Sequence, residues 1–213
     1  RYYAVRFPQL GYAVASVSYR LVPEAVFPAA VHDVKCAVRW MRANAEMYGI
    51  APDAIAAIGG SAGGHLSMML GYSPHVPELE GNGGHADYSS AVQAVINLYG
   101  PVDLTLPEHH DNPTLLAFFG GKRYTEVPEQ YRLASPMTHL TEDAPPTLTI
   151  HGDADDIVPI DQADLLDERL KALGVSHEYL RLTGYPHTLD ILAEVNRYCR
   201  WHMYRFLDKH LKH

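Results

Sequence analysis

AAIGGSAGGHLSMML, residues 56–70, runs from an apolar segment through two glycines to one serine, then through Ala62-Gly63-Gly64 into a second apolar segment. Two readings fit so much glycine around Ser61. It is a plain turn that packs two elements closely, or a corner that holds a hydroxyl clear of its surroundings. The flanks favour the second. Residues 52–59 (PDAIAAIG) read as a short buried strand, and a helix is expected from Ser61 to Leu70. A G-x-S-x-G pattern between strand and helix is the setting in which a serine is held at positive φ on the tip of the turn. Gly59, Gly63 and Gly64 are then expected to supply the room that strand and helix need. The helix opens at the serine, so the Ala62 N–H is the candidate donor to a developing oxyanion.

The same alternation extends outward. Residues 12–19 (YAVASVSY) are rich in Val, Ala and Tyr without clean alternation, which suits a strand buried on both faces. Pro23 and Pro28 exclude a regular helix just after it. Val31, Val34, Ala37, Val38 and Met41 then recur at helical spacing, with Gly49 as the stop. Residues 91–100, 145–152 and 177–184 read as three further strands, the last near an edge. An amphipathic helix is expected over 161–174 and a closing helix over 190–211. Strand and helix in alternation predict an α/β fold, a mostly parallel sheet with helices on both faces. No internal repeat or linker divides the chain, so residues 1–213 are expected to form one domain. The Pro-punctuated stretch 103–144 is long for a connection and is expected to be a lid-like insertion, with short helices in TLLAFFGG and PEQYRLAS.

The 213 residues are 47% hydrophobic, which is enough for a core. A net charge of -8 argues against a nucleic-acid partner. No stretch reaches the ~20 apolar residues of a membrane span. Cys36 and Cys199 are few and far apart, so free thiols are expected and no thiolate zinc site. The opening RYYAVRFPQL has no Met start and reads as if it begins inside a helix, which leaves a cytoplasmic and a secreted or periplasmic location both open.

A nucleophilic serine needs a base, and the base an orienting carboxylate. Where Ser, acid and His follow in that order, the acid lies just beyond a later strand, where Asp153, Asp155 and Asp156 stand. The base lies after the last strand, where His187 stands. His151 and His177 are rivals, at a strand end and a strand start.

Taken together, these stretches resemble the α/β-hydrolase superfamily. They look most like its bacterial carboxylesterases of the acetyl-xylan and feruloyl esterase-like (BD-FAE-like) group, related to the hormone-sensitive-lipase-like esterases. SYRLVPEAVFPAAVHD (18–33) is similar to that group's YRL-x-PE…FPA…D segment, and GGSAGGH (59–65) to its elbow. HGDADDIVP (151–159) is similar to its H-G-x-x-D-x-x-V-P loop, and this resemblance selects Asp155 as the acid. GYPHT (184–188) is similar to its histidine loop at His187. The resemblance implies a serine carboxylesterase that cleaves short acyl or aryl esters through an acyl-enzyme, with Ser61, His187 and Asp155 as catalytic residues and no cofactor or metal. A serine peptidase or amidase of the same superfamily is the first alternative, and a non-catalytic remnant is the second. Arg20, Glu24 and Asp33 are expected to form a charge network that pins the turn after residues 12–19.

One departure stands out. The group carries an H-G-G-type loop, source of a second oxyanion donor, on a strand between those read here at 12–19 and 52–59. No such loop occurs in this sequence. Either the residues that carry it and the N-terminal strands of the sheet stand upstream of Arg1, or the form is truncated and the sheet is expected to have a gap that must close or be filled by a partner chain. Losing one oxyanion donor costs roughly 100- to 1,000-fold in turnover.

The remaining candidates are weaker. His109-His110-Asp111 lacks the spacing that zinc sites prefer. GNGGH (81–85) reads as a flexible turn rather than a phosphate loop. Phe118 and Phe119 either line an acyl or aryl pocket or pack the lid, and Tyr99 is placed to face the site. Tyr198, Trp201, Met203 and Tyr204 in the last helix are core, or contact between two copies in a homodimer.

Overall fold

The computed structural model describes residues 5–212. Its sheet has four parallel strands in the order of the chain: β1 (Ala56–Gly60), β2 (Ala94–Leu98), β3 (Thr147–Gly152) and β4 (His177–Leu182). The connections carry helices α1 (Ala29–Ala43), α2 (Ala45–Tyr48), α3 (Ala62–Tyr72), α4 (Pro113–Phe118), α5 (Pro128–Leu133), α6 (Pro136–His139), α7 (Asp161–Leu173) and α8 (Ala193–Leu211).

Strand side chains alternate between two cores, as the two-residue period of a strand requires. On β2, Val95 joins Val31, Leu66, Met69 and Leu166 under α1, α3 and α7. Ala94, Ile96 and Leu98 point the other way with Leu148 and Ile150, onto Cys199, Met203 and Phe206 of α8. Every residue of β2 and β3 is buried, including the polar Asn97, Thr147, Thr149 and His151. The last-helix stripe divides. Met203 is fully buried and Tyr204 packs edge-on against Phe7, whereas Tyr198 and Trp201 are about half exposed.

Residues 12–19 depart from expectation. The segment is largely exposed and pairs with no strand among the described residues. A strand is made by backbone hydrogen bonds to a neighbour, and an apolar run without that neighbour does not become one. β1 is therefore an edge of the sheet. A cavity of about 560 Å³ lies between it and the 12–19 segment, lined by Tyr12, Val14 and Val17 on one side and Ala56, Ile58 and Gly60 on the other. The helical start falls partly on residues 1–4, outside the described residues; Val5 and Arg6 are helical and lead into a 3-10 turn at Phe7–Leu10.

Arg20 holds Asp33 through two side-chain nitrogens and its own amide, at 2.7–3.1 Å, and so ties the turn to α1. That hydrogen bonding lowers the Asp33 pKa, while Glu24 acts on Arg20 through its field alone and makes no third corner. Within 103–144, Tyr131 is wholly buried and stacks on Phe119, 3.9 Å between centroids. Around residues 81–85 the carbonyls of Gly83 and Gly84 accept from Cys36 and Arg39, the reverse of an anion cradle.

Candidate active site

Ser61 stands between β1 and α3 with φ 55° and ψ −119°. Its amide donates to the Leu98 carbonyl at 2.9 Å, and its carbonyl accepts from the His65 amide at 3.0 Å. The first bond continues the β1–β2 ladder one residue and the second begins the helix, so the strained residue is fixed from both sides. Glycine is needed here by close approach. A Cβ on Gly59 would lie 2.2 Å from the Gly63 backbone, and one on Gly64 would lie 2.5 Å from Asn97 Oδ1. Gly63 corrects the sequence reading, because a Cβ there would meet nothing within 4 Å. Its backbone, not its missing side chain, occupies the corner.

Two loops at the same end of the sheet meet this serine. The acid loop after β3 and the histidine loop after β4 are stitched together: Ala154 N donates to Tyr185 O at 3.1 Å, and Gly184 N to Asp153 Oδ1 at 2.7 Å. Gly152 permits this, since a Cβ on it would strike Tyr185 O at 2.1 Å. Asp155, its side chain fully buried, accepts from the Ile157 and Val158 amides on Oδ1, both at 2.9 Å. Its Oδ2 lies 2.7 Å from His187 Nδ1, and His187 Nε2 lies 3.0 Å from Ser61 Oγ. A carboxylate only accepts, so His187 Nδ1 carries the proton, Nε2 is the acceptor, and the Ser61 hydroxyl donates to it. Asp153 is engaged with Gly184, and Asp156 is exposed.

The rival histidines have other partners. His177 lies at the start of β4, bonded to Asp167 and to the Val175 carbonyl. His151 is buried at the end of β3, with Nε2 at 3.1 Å from Asp155 Oδ2 and 2.9 Å from Val158 O. Tyr99 is among the residues that line the cavity beside β1. It is buried at positive φ, its hydroxyl donates to Asp190, and its ring meets the His187 imidazole edge-on at 4.8 Å. Phe119 is buried against Phe27 and Tyr131, and Phe118 packs on Phe27 and His65. Both aromatics thus serve the packing of the insertion. Ala62 opens α3, so its amide is among the helix-end donors without a partner inside the helix.

His109, His110 and Asp111 diverge to Gln162, the Thr105 carbonyl and Arg123. Cys199 is buried, which pushes its thiol up to about 12 and leaves it protonated. Sequence reasoning assigned His151 no place beside the acid. The four-residue spacing to Asp155 was the available signal, but only the loop's return brings the two together.

This sheet, with its serine corner and two facing loops, is the α/β-hydrolase fold. The BD-FAE family model matches residues 2–170, and the chain belongs to that family. It is 36% identical over 194 residues to esterase LipQ of Mycobacterium tuberculosis, covering 89% of this chain and 46% of that protein. The chain spans about half the length of the curated relatives it matches. Among solved structures, it superposes on a truncated carbohydrate esterase from gut microbiota with a TM-score of 0.81 and 30% identity, covering 90% of this chain and 73% of the other. A thermophilic esterase of Thermogutta terrifontis, solved with propionate bound, gives 0.71 and 26%, covering 90% and 66%.

Proposed function

We propose that the chain carries the catalytic centre of a serine carboxylesterase acting on short acyl or aryl esters. The observation that carries this reading is the unbroken hydrogen-bonded line Ser61–His187–Asp155. Ser61 Oγ attacks the ester carbonyl while His187 Nε2 takes its proton. Asp155 holds the Nδ1–H tautomer and stabilises the imidazolium. His187 then returns the proton to the leaving alcohol, and water repeats the sequence in reverse on the acyl-enzyme. The Ala62 amide, at the positive end of α3, receives the developing oxyanion. The names of the relatives support an ester over an amide, and a short acyl group agrees with a neighbour solved with propionate bound.

The test pairs a fluorophosphonate probe with turnover of p-nitrophenyl acetate and a peptide anilide. Labelling at Ser61 with hydrolysis of the ester alone is the expected result. Faster cleavage of the anilide would move the reading to a peptidase, and an unlabelled serine would reject catalysis.

A further inference from the structure

Asp155 Oδ2 is shared by two imidazoles, His187 Nδ1 at 2.7 Å and His151 Nε2 at 3.1 Å. His151 lies fully buried at the end of β3, and its Nε2 faces only acceptors: Asp155 Oδ2 and the Val158 carbonyl, at 2.9 Å. An imidazole nitrogen between two acceptors must carry a proton. Its other nitrogen, Nδ1, is buried and has no hydrogen-bond partner among the described residues, so none of them holds a second proton there. His151 is thereby fixed as the neutral Nε2–H tautomer, and burial lowers its pKa in the same sense.

We propose that His151 is a positioning residue for the acid, whose single N–H clamps Asp155 to the returning loop at Val158 and draws part of the carboxylate charge away from His187. This rests on the Ser61–His187–Asp155 reading. The other groups facing the carboxylate are the Ile157 and Val158 amides, with Tyr99 and Asp190 beyond the His187 ring. A donor on Oδ2 weakens the pull of Asp155 on a cationic His187.

The experiment measures kcat and KM against pH for wild type, His151→Leu and His151→Gln, together with long-range ¹⁵N histidine spectra of the wild type. Leu removes the donor, whereas Gln places an amide N–H near the Nε2 position and cannot become charged. The Leu variant is expected to move the acid limb of kcat/KM up by about half a pH unit or more and to lose about tenfold in kcat with little change in KM. The Gln variant is expected to restore the limb. The spectra are expected to show His151 as Nε2–H and neutral from pH 8 to below 6. Coincident limbs for Leu and wild type, equal shifts for Leu and Gln, or a His151 protonated on Nδ1 would overturn the proposal. If the Leu variant does not fold, the wild-type tautomer and the Gln profile decide. Failure of the hydrolase reading looks different, because the probe then leaves Ser61 unlabelled while the spectra still judge the His151 contact.

Discussion

His187 Nε2 sits 3.0 Å from Ser61 Oγ, although 126 residues separate them along the chain. The contact needs Ser61 at the exit of one edge strand and His187 beyond the other, with both loops leaving the same end of a parallel sheet. It also needs the histidine loop to lean back across β3, which the hydrogen bonds from Ala154 and Gly184 enforce.

Ser61→Ala removes the hydroxyl that faces His187 Nε2 at 3.0 Å. Hydrolysis of p-nitrophenyl acetate is expected to fall by at least ~1,000-fold with unchanged circular dichroism. A loss below about tenfold would mean that another group is the nucleophile.

Asp155→Asn and Asp156→Asn separate the two neighbouring carboxylates. The first puts an amide where His187 needs an acceptor and is expected to cost roughly 1,000- to 10,000-fold in kcat. Asp156 is exposed, and its variant is expected to stay within about threefold of wild type. Equal losses would reassign the acid.

Gly59→Ala and Gly63→Ala test the packing of the corner. The Gly59 variant drives a methyl to 2.2 Å from backbone, and is expected to lose about 3 kcal/mol or more in urea unfolding. The Gly63 variant meets nothing and lies in a helix, so it is expected to be neutral or to gain up to about 1 kcal/mol. The opposite ranking would contradict the close approach described for Gly59.

Acid should weaken the fold before the carboxylates titrate. His65, His139 and His151 all have pKa values lowered below 6.5, chiefly by burial, so the folded protein holds them neutral. Below pH ~6.5 the unfolded chain binds more protons than the native one, and stability drops as pH falls. The urea midpoint is expected to decline steadily from pH 7 to 5. His65→Gln, which keeps a donor for the Ala134 carbonyl, should flatten that slope. An unchanged slope would mean that His65 is not among the groups responsible.

Local chemistry made several features legible before any coordinates. The glycines around Ser61 announce a tight corner because only a missing Cβ permits such approach, and 3.6- and two-residue periods separate helices from strands. The apolar run at 94–98, broken only by Asn97, fits a strand covered on both faces. Other features have no local signature. The 12–19 run has strand composition, but its state depends on a neighbour's backbone, and it stands off β1 unpaired. Phe119 looks like a pocket residue in sequence and turns inward in space, because burial depends on what packs above it. That a second imidazole shares the Asp155 oxygen follows from where two loops cross. A sequence records the capacity of each side chain to donate, accept or be buried; the choice of partner belongs to the tertiary structure, since it is made by segments that meet only when the sheet is assembled.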